Sequence, residues 1–492
     1  MKSSPEWSLS RQDVSLLSAA VLASLAIFLA TSAFTFRAGF PLDDSWIHQT
    51  YARNLALRGE WSFLPGQVSA GSTSPLWTVL LAAGFLLRLS PYYWTYFLGA
   101  VTLLGAGLLV EITLRRSMTD YRPGLPWAGC LFILDWHMLW AAVSGMETLL
   151  HILLVLGVMC FLLSGSRYYT LAGFLVGISV WVRPDGVTLL GPLALAILLA
   201  EKTLVARLNG LLSLLVGFGV MVLPYILFNL MISGAPFPNT FYAKQAEYAG
   251  WQDLSIVTRL GYFGLQFFQG VSLALLPGFI RAMLLALRTR WWGLLLVAAW
   301  MVGYAALYLS RLPVYQHGRY LMPALAVFLL VGLAGTIDLL RLLRAPRLRL
   351  VELAARAFLA VILAISFVYG ALAYAQDVAY IESQMVDTAR WVAGNIPPAA
   401  RIAAHDIGAL GFFDRHQLVD LAGLITPEVV PIINNEERLA VYMQTRKVEY
   451  LLAFSGWKTA LVGRGAPLFV ANGQFAGKGD LGSMAVYPWS LP

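Results

Sequence analysis

The chain has 492 residues, of which 59% are hydrophobic and 12% are charged, and its net charge is +8. With a mean hydropathy of +0.70, this composition predicts a polytopic membrane protein rather than a soluble globular one. The basic residues cluster in short loops between apolar runs, where they set topology, so nucleic acid is not expected as a partner. Cys130 and Cys160 each lie in an apolar run, which argues against a disulfide framework.

Apolar runs along the chain predict about eleven transmembrane helices. The first run is longer than the apolar part of a cleaved signal peptide and lacks an A-x-A site, so we expect it to be retained as a span. The predicted spans cover residues 14–36, 96–114, 124–143, 147–163, 168–182, 187–201, 208–232, 257–287, 291–309, 321–343 and 353–375.

The loops between these spans alternate in charge, and this alternation predicts the topology. Lys2 and Arg11 precede the first span, which by the positive-inside rule starts in the cytoplasm. The basic loops on the same side are 115–122, 164–167, 201–207, 288–290 and 341–349. The opposite loops hold nearly every unusual polar cluster of the chain. We therefore expect any chemistry to take place on the extracytoplasmic face.

The first extracytoplasmic loop, residues 37–95, is predicted to contain two helices. SPLWTVLLAAGFLLRL (74–89) would invert every later loop if it were a span, so we expect an outer juxtamembrane or re-entrant helix there. The other helix, DSWIHQTYARNLALRG, places Ile47, Tyr51 and Arg58 on one face. This pattern predicts a helix that lies flat on the membrane with its arginines among the headgroups.

From residue 376 onward, charged residues, prolines and glycines return at the density of a soluble protein. We predict a transmembrane domain over residues 1–375 and a separate extracytoplasmic domain over residues 376–492. A helix over ESQMVDTARWVAGN and strand-like runs at RIAAHD, HQLVDLAG and VEYLLAF predict a small α/β fold for the second domain. The expected fold class is an all-α polytopic membrane domain followed by a small α/β domain.

Asp43 and Asp44 lie side by side where the first loop enters its helix, although capping that helix needs only one carboxylate. Two carboxylates near cationic side chains suit the transfer of a sugar from a lipid phosphate to an alcohol. An aspartate can accept the proton of the attacking hydroxyl, and arginine, lysine or histidine can neutralise the leaving phosphate. We assign Asp43 as the base and Asp44 as a helix cap or a partner of an arginine, and the exchanged assignment stays open.

Six motifs in order along the chain resemble the landmarks of the GT-C superfamily of membrane glycosyltransferases, and are most similar to mycobacterial arabinofuranosyltransferases. The motifs are PLDDSWIHQTYARNLA (41–56), GSTSPLW (71–77), SGMET (144–148), RPDG (183–186), PNTFYAK (238–244) and HGRYLMP (317–323). The resemblance covers roughly residues 10–375 and continues more weakly over 406–428.

This resemblance implies a GT-C fold whose catalytic position in the first outer loop holds Asp43 and Asp44. Attack of the acceptor opposite the leaving group would make the enzyme inverting. The resemblance also implies a polyprenyl-phosphate donor of a pentose or hexose, and a hydroxyl acceptor on a glycan, a lipid or a protein. Beyond these substrates and the membrane lipids, no cofactor or metal is predicted. The residues assigned to substrate binding are His48, Glu147, Arg183, Asp185, Asn239, Tyr242, Lys244, His317, Arg319 and Tyr320.

Several of these residues also have a purely structural interpretation. Glu147 begins a span and could cap it, and Asp185 could form only a turn with Arg183. His317 and Arg319 stand at the mouth of a span, where basic side chains ordinarily reach toward the headgroups. These alternatives stay open on the sequence alone.

Other polar residues carry weaker signals. Asp135 and His137 lie inside a predicted span and could form a buried pair or part of the cavity. His405, Asp406 and His416 lack the spacing of a closed metal site, so we do not expect them to bind metal.

A secondary transporter is the runner-up function. Transporters usually show paired halves and ionisable groups near the bilayer midplane, whereas here the polar clusters gather at the ends of spans. A non-catalytic scaffold or receptor gives no reason for the adjacent carboxylates. No P-loop occurs in the sequence, which disfavours nucleotide-driven transport.

Overall fold

The structure is a computed structural model that describes residues 9–118, 121, 123–462, 465–476 and 482–489. Lys2 and three positions of the basic loop 115–122 lie outside the described residues. The helices before residue 382 are α1 (Arg11–Thr35), α2 (Asp44–Arg58), α3 (Pro75–Leu86), α4 (Pro91–Ser117), α5 (Trp127–Leu134), α6 (Trp136–Val143), α7 (Thr148–Ser164), α8 (Tyr169–Val182), α9 (Leu190–Ala200), α10 (Leu204–Ser233), α11 (Asn239–Glu247), α12 (Ile256–Phe267), α13 (Val271–Ala274), α14 (Leu276–Thr289), α15 (Trp292–Arg311), α16 (Met322–Leu342) and α17 (Arg349–Ile381).

The chain is a multi-pass membrane protein. Within the described residues, six helical segments are long and apolar enough to cross a membrane. They are Arg11–Thr35, Pro91–Ser117, Leu204–Ser233, Trp292–Arg311, Met322–Leu342 and Pro346–Asn395. Helices α7, α8 and α9 are apolar but shorter, so the total of about eleven spans stays a prediction.

Two predicted spans are not continuous helices, and these predictions are wrong in that respect. The run 124–143 divides at Asp135, whose carboxylate accepts the backbone N–H groups of His137 and Met138 and so starts a second helix, α6. The run 257–287 divides into α12, α13 and α14, with Gly270 at a positive φ of 74° between the first two. Apolar composition predicted the location of these segments but not their breaks.

Helix α2 does not lie flat on a membrane surface, which corrects the prediction from its apolar face. Its residues 45–52 are buried on every side. Trp46 packs between the rings of Phe412 and Phe413, with centroids 4.8 and 4.7 Å away. Arg53 donates to the carbonyl of Phe412 at 2.6 Å rather than reaching into headgroups. The covering element is the carboxyl-terminal part of the chain.

That carboxyl-terminal part contains a five-stranded sheet with helices packed beside it, as the α/β prediction required. A hairpin, β1 (Ser62–Leu64) and β2 (Gln67–Val68), precedes it in the first loop. The sheet order is β4–β3–β5–β7–β6, with β3 parallel to β4 and β5, and β7 antiparallel to β5 and β6. The elements are α18 (Asp387–Asn395), β3 (Arg401–Ala404), α19 (Gly408–Phe413), β4 (Gln417–Asp420), α20 (Glu436–Thr445), β5 (Tyr450–Phe454), α21 (Thr459–Val462), β6 (Phe469–Val470) and β7 (Met484–Pro488).

The last long helix connects the two parts without a flexible linker. Helix α17 passes through a π-helical turn, Glu382–Val386, directly into α18. Glu382 is 1% exposed and accepts bonds from Arg37 at 2.8 Å and from the Tyr92 hydroxyl at 3.0 Å. These contacts fix the sheet domain against the ends of α1 and α4, beside the first loop.

Candidate active site

A cavity of about 300 Å³ opens at the end of the helix bundle that carries the sheet domain. We call this end the site end. The cavity is bounded by the start of α2, the junctions before α7 and after α8, helix α11 and the turn before α16. The predicted site residues that line it are Asp44, His48, Glu147, Arg183, Asp185, Lys244, Arg319 and Tyr320.

The carboxylate of Asp44 faces the cavity and is paired with two cations. Arg319 donates from Nη2 to Asp44 Oδ2 at 2.6 Å, and Lys244 Nζ lies 4.0 Å from the same oxygen. Burial alone would raise the pKa of Asp44, but the charges of Lys244 and Arg319 outweigh it and hold that pKa well below its usual value. Asp44 is therefore ionised.

The carboxylate of Asp43 points away from the cavity and contacts the sheet domain. Its two oxygens accept the backbone N–H groups of Gly408 at 2.7 Å and Ala409 at 2.8 Å, at the start of α19. Burial and the nearby charge of Asp406 raise the pKa of Asp43 to about 7, against the opposing effect of these two bonds. Asp43 thus ties the first loop to a segment more than three hundred residues further along the chain.

Arg319 reaches the cavity from an unusual turn. Gln316, His317 and Gly318 have φ values of 53°, 55° and 66°, a left-handed conformation that non-glycine residues rarely adopt. The side chain of Arg319 is 3% exposed, and among the described residues its Nε and Nη1 have no hydrogen-bond partner. Thr240 Oγ1, also on the cavity wall, is likewise buried without a described partner. Such buried donors are costly unless a ligand satisfies them.

A second charged network also lines the cavity. Glu147 Oε1 lies 3.3 Å from Arg183 Nη1, and its Oε2 lies 3.4 Å from His48 Nε2. Arg183 also contacts Asp185 at 3.3 Å and donates to the hydroxyl of Tyr308 at 2.9 Å. Glu147 makes no side-chain cap on α7, so its contacts are those of a cavity group. The Arg183–Asp185 pair exists, and both members line the cavity.

Three residues assigned to substrate binding, Asn239, Tyr242 and His317, do not line the cavity. Asn239 is buried at the start of α11, where its backbone N–H donates to the carbonyl of Ala70. Tyr242 lies two positions from Lys244 on that helix, about 200° around its axis, and therefore faces elsewhere. His317 places Nε2 at 2.7 Å from Asp377 Oδ2, which also accepts the indole N–H of Trp140 at 2.9 Å. The substrate-binding role assigned to these three residues stays a prediction.

The weaker sequence signals resolve into structural contacts. His405 lies 3.5 Å from Glu247 and 3.6 Å from Asp406. Burial would lower the pKa of His405, but its bonds to Asp406 and Glu247 raise it to about 10. His416 bonds Asp414 at 2.6 Å. Across the described residues, no group of three or more histidine, cysteine, aspartate or glutamate side chains is arranged to hold a metal ion.

Several residues of the site carried little sequence signal. Thr240 and Arg311 line the cavity and belong to the loops 234–244 and 311–320, whose polar character was visible. Tyr308 lies in an apolar helix and gave no signal. Asp377 was not assigned to the site because it follows the last predicted span. In the structure, helix α17 continues through this residue.

Comparison with known proteins places the fold but not the family. A family described as a domain of unknown function (DUF8728) matches residues 373–483. No curated protein matches the chain by sequence. Among solved structures, ArnT from Cupriavidus metallidurans bound to undecaprenyl phosphate is similar over 96% of this chain and 98% of its own, with a TM-score of 0.59 and 15% identity.

Two further structures are similar over most of this chain. The oligosaccharyltransferase AglB from Archaeoglobus fulgidus, in complex with an inhibitory peptide and a dolichol-phosphate, aligns over 90% of this chain and 70% of its own, with a TM-score of 0.54 and 13% identity. Arabinofuranosyltransferase AftD from Mycobacteria aligns over 99% of this chain but 40% of its own, with a TM-score of 0.53 and 17% identity. These likenesses show that the chain has the GT-C fold.

Proposed function

We propose that this protein is an integral-membrane glycosyltransferase that moves a pentose or hexose from a polyprenyl phosphate to a hydroxyl group. The solved structures with the same fold are glycosyltransferases, and two of them hold a lipid phosphate, undecaprenyl phosphate in ArnT and a dolichol-phosphate in AglB. Fold alone does not fix a reaction, so the proposal depends on the cavity.

The observation that carries the proposal is the pair of unsatisfied guanidinium nitrogens of Arg319. A buried arginine whose Nε and Nη1 have no described partner retains N–H donors and a positive charge for a phosphate. Lys244 adds a point charge near the same oxygen of Asp44, and Thr240 adds a hydroxyl. Together these groups form an anion site at the centre of the cavity.

The remaining cavity wall suits the two other parts of a lipid-linked sugar. Phe237, Phe241 and Leu312 supply apolar surface for an isoprenoid chain. The network of Glu147, Arg183 and Asp185 supplies acceptors and donors for sugar hydroxyls. In this arrangement the phosphate occupies the middle of the cavity, with the lipid on one side and the sugar on the other.

Asp44 is the base in this mechanism, and Asp43 positions the sheet domain. Asp44 faces the cavity, whereas both oxygens of Asp43 are bound to backbone N–H groups. This assignment exchanges the roles favoured from the sequence. The acceptor oxygen attacks the anomeric carbon, the bond from that carbon to the phosphate oxygen breaks, and polyprenyl phosphate leaves with the electron pair. Asp44 takes the hydroxyl proton, and attack opposite the leaving group inverts the anomeric centre.

Donor binding also prepares Asp44 for this role. Without donor, Arg319 and Lys244 hold Asp44 ionised and weakly basic. A phosphate between these cations competes for both, so the pKa of Asp44 rises toward the range in which a carboxylate accepts a proton efficiently. The same two cations then neutralise the charge that develops on the leaving phosphate.

We place the cavity and the sheet domain on the extracytoplasmic face of the cell membrane. The basic loops gather at the end of the bundle opposite the cavity, as the positive-inside rule requires for the cytoplasmic side. In this arrangement residues 1–375 form the transferase domain and residues 376–492 an extracytoplasmic domain. The acceptor is a hydroxyl of a cell-envelope glycan, a lipid or a protein.

The test is a transfer assay on purified protein with a panel of synthetic polyprenyl-phosphate pentoses and hexoses and a crude envelope glycan acceptor. We expect wild-type protein to release polyprenyl phosphate and to label the acceptor. Asp44→Asn should lose about 10²-fold to 10⁴-fold in rate while still binding donor. Asp43→Asn serves as the matched control, and its folded fraction should retain most of the wild-type rate. Full turnover by Asp44→Asn would refute its role as base, and absence of binding to every lipid phosphate would refute the donor class.

A further inference from the structure

A second large cavity lies at the end of the bundle opposite the active site. Its volume is about 700 Å³, and it is a groove between α5, α16 and α17 that Tyr121 and residues 123–125 also line. Helix α16 starts beside Arg319 at the site end and ends at Leu342, so Arg341 and Arg344 lie at its far end. Nothing in the transfer reaction uses this groove.

The groove exists because α5 is short. With eight residues it rises about 12 Å, far less than the ~30 Å of a hydrocarbon core. Helix α16 is central, with 78% of its most apolar stretch buried, whereas the corresponding value for the segment containing α17 is 22%. Beyond the start of α5, the flanks of these two helices therefore border a space that opens toward lipid.

The lining of the groove has two chemically distinct parts. Leu134 of α5, Ile337 of α16 and Leu363 of α17 form an apolar wall. Arg344, just after α16, and Arg356 of α17 stand at its rim with Arg341, and both Arg344 and Arg356 are exposed. The nearby carboxylate of Glu352 bonds Arg356 at 2.6 Å on the surface of the same helix, a type of pair that contributes little stability. The rim is thus basic at the depth where the apolar helices end.

We propose that this groove binds an anionic phospholipid of the adjacent leaflet, with the phosphate at Arg344 and Arg356 and an acyl chain along the leucine wall. Basic pockets between transmembrane helices are suited to anionic headgroups because the arginines meet the phosphate at headgroup depth. A free phosphate would contact only the arginines and would leave the apolar wall without a partner. A zwitterionic lipid would bring its own cation toward the arginines. The phosphatidylglycerol class satisfies both parts of the groove.

The experiment uses full-length protein in nanodiscs of phosphatidylcholine with about one-fifth phosphatidylglycerol. A photo-crosslinking benzoyl-phenylalanine replaces Leu363 in the groove, and the crosslinked lipid is identified by mass spectrometry. The matched position is Val361, which is 55% exposed on the same helix and does not line the groove. We expect phosphatidylglycerol adducts at 363 to exceed the mole fraction of that lipid, and adducts at 361 to follow it.

Charge variants separate the site from a general attraction to basic surfaces. Arg344→Gln with Arg356→Gln should lower the phosphatidylglycerol excess at 363 by about tenfold. Arg288→Gln with Arg290→Gln removes the same charge outside the groove and should leave the excess unchanged. Phosphatidylglycerol adducts at 363 that only match the mole fraction of that lipid, an equal loss in both double variants, or displacement of phosphatidylglycerol by a smaller amount of polyprenyl phosphate would each overturn the proposal.

Discussion

The turn before Arg319 should change conformation when the side-chain contacts of His317 are removed. The turn holds two non-glycine residues at positive φ, a conformation that costs about 1–3 kcal/mol per residue and persists only when other contacts stabilise it. The contacts here are the 2.7 Å bond of His317 to Asp377 and the edge-on rings of Trp136 and Trp140, 5.1 and 5.4 Å from the imidazole.

The size of the effect follows from those contacts. A hydrogen bond to a charged group contributes about 1.5–3 kcal/mol, which is equivalent to about tenfold to 150-fold in an equilibrium constant. If the turn relaxes in His317→Ala, Arg319 no longer faces the cavity, and donor affinity should fall by that factor. Acceptor KM should change little, because His317 does not line the cavity.

A double-mutant cycle distinguishes support of Arg319 from a general loss of stability. Polyprenyl-phosphate binding is measured for His317→Ala, Arg319→Ala and the double variant. We expect the double variant to bind no worse than Arg319→Ala, because the turn has nothing left to position. His416→Ala breaks a comparable buried pair with Asp414 and should leave donor affinity intact. Additive losses in the double variant, or unchanged affinity in folded His317→Ala, would refute the reasoning.

Two further predictions concern the contact between the first loop and the sheet domain. A Cβ at Gly408 would lie 2.0 Å from the carbonyl oxygen of Asp43. Gly408→Ala should therefore lower the free energy of unfolding by ~1–3 kcal/mol, measured by thermal unfolding. The control is Gly394→Ala, which should leave stability unchanged because a Cβ there would meet no atom within 4 Å. The pKa of Asp43 is about 7 in the folded protein, against 3.8 for an ordinary aspartate, so the folded state binds this proton more tightly than the unfolded state does. The contribution of Asp43 to stability therefore falls as pH rises from about 4 to about 7. Asp43→Asn should flatten that dependence in melting temperatures measured across the range, and an unchanged slope would contradict the assignment.

The sequence predicted much of the fold because apolar runs and turn residues are local signals. The runs at 147–163, 168–182 and 321–343 each correspond to one helix within one or two residues, and three of the five strands of the sheet were predicted. The break at Asp135 was missed because a capping aspartate inside an apolar run does not interrupt the hydropathy on which the span was predicted.

The site was predicted only where its residues cluster in polar loops. Eight of the twelve assigned residues line the cavity. The different roles of Asp43 and Asp44 depend on Gly408 and Ala409, which no local pattern connects to residue 43. The orientation of His317 depends on a left-handed backbone at two non-glycine residues, which composition does not predict.

The central claim, that Arg319 and Lys244 hold the phosphate of a lipid-linked donor beside Asp44, is tested most directly by a cryo-EM structure of the protein with polyprenyl phosphate. We predict phosphate density about 3 Å from a free guanidinium nitrogen of Arg319, Nε or Nη1, with the isoprenoid chain leaving past Phe237 and Phe241. Phosphate density bound elsewhere, with Arg319 still paired only to Asp44 and Tyr320, would contradict it.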